Sequence, residues 1–119
     1  MPNGWKTLLP KEIRSAIDAL LGASGKSDAG LRRSVFERTR TGAGELASPS
    51  GATYLRALVE KIEQRPWTVT GEDFDRLRRA GYSEDHLFEL TVAAATGAGV
   101  RRFQAGLRAL AADDPGEGA

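Results

Sequence analysis

The chain contains no cysteine, a single methionine at its start and one histidine among 119 residues. Without cysteine there can be no disulfide, no thiolate zinc site and no thiol catalysis. The lone His86, with Glu84, Asp85 and Glu89 near it, offers oxygens that are mostly adjacent or directed to solvent, so neither a metal nor a cofactor is expected. A long apolar run is also missing. The nearest approach, Leu87 to Val100, is shorter than the 18 or more residues a membrane span requires and carries Glu89. Met1 to Thr7 lacks the basic start and apolar stretch of a secretory leader, and a cytoplasmic location is the expectation. Nor does one sign of charge dominate. Seventeen basic residues face sixteen acidic ones, with nine against six in residues 1–60 and eight against ten in 61–119. This balance gives no overall pull toward nucleic acid or an anionic membrane, and neither partner is expected.

What is present suits one soluble helical domain, on the usual prior of roughly 100 to 200 residues per domain. The spacing predicts five helices and no sheet. Ile13, Ile17, Leu20 and Leu21 follow Pro10 at helical intervals, and Gly22 marks an end. Ser27 is placed to cap a second helix with Leu31, Val35, Phe36 and Thr39 inward, stopped by Gly42 and Gly44. Gly42, Gly44 and Ala47 have the spacing of a dinucleotide fingerprint, but a helix precedes them and Ser48 and Pro49 follow, so they read as a terminator and a loop over 45–51. Tyr54, Leu55, Leu58, Val59 and Ile62 define a third helix ending near Arg65, because the residue before Pro66 leaves the helical region. Thr70 and Asp73 form a capping-box pattern for a short fourth helix with Phe74 and Leu77 inward, closed by Gly81. Only Trp67 to Val69 have strand propensity.

The last helix is capped by Ser83 and carries Glu84 and Asp85 in its first turn, where the helix dipole favours them. One apolar face holds Phe88, Val92, Ala95, Gly99, Phe103, Gly106 or Leu107, and Leu110. A second face beside it holds Leu87, Leu90, Thr91, Ala94 and Ala98. A helix apolar nearly all round must be covered on two sides. Unbroken to Leu110 it would measure about 40 Å, longer than the roughly 35 Å diameter of so small a domain. It is therefore expected to break at Gly97 to Gly99 or to extend into a partner. The second face, Leu87, Leu90, Thr91, Ala94 and Ala98, is the expected interface of a homo-oligomer. The domain is drawn as residues 1–110, with 111–119 an acidic, mobile tail.

The stretch Ala80 to Arg102, AGYSEDHLFELTVAAATGAGVRR, resembles the turn, acidic helix start and long final helix of the alkylhydroperoxidase D-like, carboxymuconolactone decarboxylase family. The wider segment from Trp67 to Leu110 and the helix Tyr54 to Arg65 fit the same order, so residues 54–110 are the family-like part. The resemblance implies an all-helical, oligomeric fold. It does not bring the peroxidase mechanism. Pro66 and Val69 stand where the family's two cysteines would fall, with Trp67 and Thr68 between them, Asp73 near its histidine and Tyr54 roughly where its proton-relay glutamate would sit. The family's cysteine-free members imply decarboxylase or hydrolase chemistry on small lactone acids.

Each chemical candidate has a plainer reading beside it. His86 and Glu89 lie three residues apart and suit an acid/base pair, or His86 is a surface residue of the first helical turn. Arg101 and Arg102 suit a carboxylate ligand, or they make salt bridges. Trp67 and Thr68 suit ligand contact, or Trp67 closes one end of the core, the reading preferred here. Arg32, Arg33, Arg38 and Arg40 read as a solvated basic face. Two functions follow. One is a cysteine-free interaction, scaffold or small-ligand-binding module that assembles into homo-oligomers. The other is an enzyme acting on a small acidic organic molecule in a pocket between the final helix and Trp67 to Thr70.

Overall fold

The computed structural model describes residues 4–22, 25–43, 46 and 52–112. A 3₁₀ turn over Gly4–Leu8 leads into α1 (Lys11–Gly22), α2 (Ala29–Thr41) and α3 (Ala52–Gln64). A second 3₁₀ turn, Pro66–Thr68, precedes α4 (Gly71–Arg79) and α5 (Glu84–Ala112). No strand occurs among the described residues, and no helix there is long and apolar enough to cross a membrane. The expected loop over 45–51, apart from buried Leu46, and the tail beyond Ala112 lie outside the described residues.

Local chemistry explains most boundaries. Asp28, not the expected Ser27, caps α2 by accepting the Leu31 amide at 3.0 Å. Gly42 ends α2 at φ 74°, a left-handed conformation that suits a residue without Cβ. The capping box of α4 forms as spaced. Asp73 accepts the Thr70 amide at 2.8 Å while the Thr70 side chain takes a backbone N–H in return. Ser83 caps α5 through a variant of the same device, its hydroxyl accepting the His86 amide at 3.2 Å and its own amide donating to His86 Nδ1 at 3.1 Å. Trp67 and Thr68 turn in a 3₁₀ geometry, Thr68 donating its hydroxyl to Arg65 O at 2.7 Å.

The core is built on α5, with α2 laid along it and α3 packed against both. Val35, Phe36, Leu55, Leu58, Leu77 and Leu90 are essentially without solvent contact. Trp5 closes one end, its ring centroid 5.4 Å from that of Phe36 and beneath the Arg40 guanidinium at 5.3 Å. Helices α2 and α5 touch at Gly97, where an added Cβ would lie 2.1 Å from Thr39 Oγ1 and 2.3 Å from Phe36 O. Only glycine permits that approach.

Of the two courses expected for α5, a break at Gly97 to Gly99 or continuation beyond it, the helix takes the second, its backbone continuing unbroken for 29 residues. An expectation about its faces is corrected. Leu87, Leu90, Ala94 and Ala98, expected at a subunit interface, are buried in the subunit's own core, with Thr91 half-buried beside them. The face left outward is the other one. From Phe103 to Ala112 no residue is buried, so α5 projects as an arm and the molecule measures 58 × 29 × 21 Å.

Candidate functional site

The polar candidates are held in structural contacts. Glu89 reaches the segment before α2, accepting the amides of Lys26 at 3.0 Å and Ser27 at 2.8 Å and the Ser27 hydroxyl at 2.6 Å. The Ser27 hydroxyl, then the two amides, hold its carboxyl well below the usual range, at about 2. Gly25 leaves the room for this, since a Cβ there would fall 2.7 Å from the Glu89 carboxylate. His86 reaches the same segment. Its Nδ1 accepts from Ser83, so the proton resides on Nε2, which donates to Lys26 O. The two residues therefore meet around Lys26 and Ser27, where both clamp backbone. Beside them a cavity of about 230 Å³ is lined by Asp28, Tyr82 and His86 among others, and burial pushes the Tyr82 hydroxyl pKa up.

Arg101 and Arg102 converge on α3. Arg101 pairs with the buried Glu63 carboxylate at 2.8 Å, Arg38 approaches it at 3.7 Å, and Arg102 donates to the Glu63 carbonyl. Arg32, expected on a solvated face, is 3% exposed and donates to Leu20 O at 3.0 Å. Asp73 accepts from Lys61 at 2.8 and 3.0 Å, and Tyr54 is exposed with the Arg76 guanidinium 5.9 Å from its ring. Trp67 does not close the core. It is 78% exposed, because the 3₁₀ turn directs it outward while Val69 packs inward. Neither Trp67 nor Thr68 lines the apolar groove against α5 described next.

A more apolar cavity lies elsewhere, between α1 and the outward face of α5. It is an open groove of about 540 Å³ with Ile13, Ala16, Ile17 and Leu20 on one wall and Val92, Thr96, Gly99, Val100 and Phe103 on the other. Leu9 and Pro10 close the remaining side, and Thr96 is the one polar side chain lining it. No group in the groove titrates. Among the described residues no cluster of His, Asp and Glu could hold a metal ion. The sequence had marked Ile13, Leu20, Val92 and Phe103 as apolar positions, but their spacing alone assigns them to a core. The signal that separates them is the surplus of apolar faces: α5 has two, and the other described residues cover one.

No protein-family model, curated protein or solved structure matches this chain.

Proposed function

We propose that the protein is a cysteine-free binding and assembly module, and that its groove between α1 and α5 docks an apolar surface. The observation that carries this reading is the groove itself, about 540 Å³ lined by apolar side chains with Thr96 as the lone polar one. A pocket built for a small acid would present convergent cations or donors. Here Arg101, Arg102, His86 and Glu89 lie outside the groove and hold backbone or an ion pair. That favours binding over the alternative of a decarboxylase-like or hydrolase-like enzyme. The alkylhydroperoxidase D-like arrangement belongs to this proposal, supported by the Ala80 to Arg102 pattern, the helix order and a final helix apolar around its middle.

The test is binding of the apolar dye 1-anilinonaphthalene-8-sulfonate at submicromolar protein concentration. Dye fluorescence should rise with the unmodified chain and fall at least tenfold in affinity with Val92→Glu, while Trp67→Glu leaves it unchanged. Equal binding by all three chains would place the apolar site elsewhere and defeat the reading.

A further inference from the structure

We propose that the occupant of the groove is α5 of a second copy of this chain, the two helices crossing antiparallel near Gly99. This rests on the reading of the groove as a docking surface. Val92, Thr96, Gly99 and Phe103 all line it, and their spacing of four, three and four residues continues through Gly106 and Leu110. Such a run is the seam of a helix pair, where apolar positions recur every 3.5 residues. The first half of the seam floors the groove. The second half runs along the arm, where Phe103 is 43% and Leu110 is 72% exposed. One helix thus carries a concave apolar surface and, beyond it, a convex apolar strip of similar length. A single two-fold operation about Gly99 brings each strip to the other copy's groove and leaves neither uncovered.

The direction follows from side-chain size. Antiparallel pairing about Gly99 sets Val92 against Gly106 and Thr96 against Arg102, and it sets Phe103 and Leu110 against Ala95 and Phe88, which flank the seam. The bulky residues Val92 and Phe103 meet small ones, and Phe88, itself 71% exposed, gains an apolar partner. Parallel pairing would put Phe103 on Phe103 and Gly106 on Gly106, alternately crowded and hollow. The two glycines fit the same account. A Cβ added at Gly99 or Gly106 would meet nothing within 4 Å among the described residues, so those residues give no reason for either, although a glycine within a helix is unfavourable relative to alanine. A second helix crossing closely there supplies the reason.

Because the chain lacks cysteine, single cysteines report the pairing cleanly. Val92→Cys and Gly106→Cys are made separately, since in one helix the two sites lie about 21 Å apart. Treated with a short bismaleimide, the mixture should yield a covalent dimer, whereas each variant alone should not. The unmodified chain should sediment at twice its 12.7 kDa, and its dye signal per chain should fall as concentration rises through the dimer transition. Cross-linking of Val92→Cys with itself would overturn the antiparallel arrangement. A 12.7 kDa mass at all concentrations would overturn the second copy as occupant. In that case dye binding still abolished by Val92→Glu keeps the groove reading with another partner, and its absence defeats both.

Discussion

The Glu89 carboxylate holds both the amide and the hydroxyl of Ser27, 62 residues earlier in the chain. This one side chain fixes the start of α2 against α5, the pair of helices on which the core is built. Its hydrogen bonds are charge-assisted and take donors of the segment that leads into the α2 cap.

Replacing it tests the link. Glu89→Gln should lower stability by about 2 kcal/mol at neutral pH, the scale of hydrogen bonds to a charged group. The sign of the pH dependence follows from the carboxyl falling from 4.5 to about 2 in the folded protein. The stabilisation is complete above the ordinary carboxylate range and is lost as pH falls from about 4.5 toward 2. Urea unfolding across that range should show the two proteins converging on acidification. A constant gap down to pH 2 would show that the charge is not involved.

At the start of α4, Asp73 joins its capping box to an ion pair with Lys61 at 2.8 Å. The Lys61 hydrogen bond, followed by that of Thr70, holds its carboxyl below the usual range. Asp73→Ala should cost about 2 kcal/mol through loss of the cap and the pair. Its effect too should shrink as the pH is lowered, while Lys61→Met should remove only the part owed to the pair. Thermal melts of the three chains at two pH values decide it.

Gly97→Ala should destabilise by about 2 kcal/mol, because Phe36 O is backbone and cannot step aside as a side-chain tip would. Ala105→Gly, on the exposed part of the same helix, should cost only the intrinsic amount of about 1 kcal/mol. If the two proved equal in chemical denaturation, close approach of α2 and α5 at Gly97 would be wrong.

Trp5→Ala and Trp67→Ala should part widely. The first opens a cavity in the core and should cost about 3 to 5 kcal/mol. The second removes an exposed ring and should stay within about 0.5 kcal/mol. A large loss at Trp67 would restore its role as a plug for the core.

Helix order and most helix ends were legible in the sequence because they depend on nearest neighbours. Gly42, Pro66, Thr70 with Asp73, Gly81 and Ser83 act within a few residues of where they stand. The cap of α2 was misread between adjacent Ser27 and Asp28, since only the fold brings Glu89 to claim the serine. Which face of α5 turns inward was not legible, because Leu87 and Leu90 on one side and Phe88 and Val92 on the other are equally apolar. The decision rests with α2, whose Phe36 and Thr39 accept Gly97 and thereby rotate Phe88 and Val92 outward. The groove was not legible for the same reason. Trp67 and the arginines look chemically rich in sequence, whereas the groove consists of residues that look like ordinary core.

The contrast between the two tryptophans, 5% and 78% exposed, also gives the molecule a built-in optical gauge. Acrylamide should quench the red-shifted emission of Trp67 first and leave the blue-shifted emission of Trp5. What remains then reports, without any added label, whether the 3₁₀ turn at the start of the chain is seated on α2.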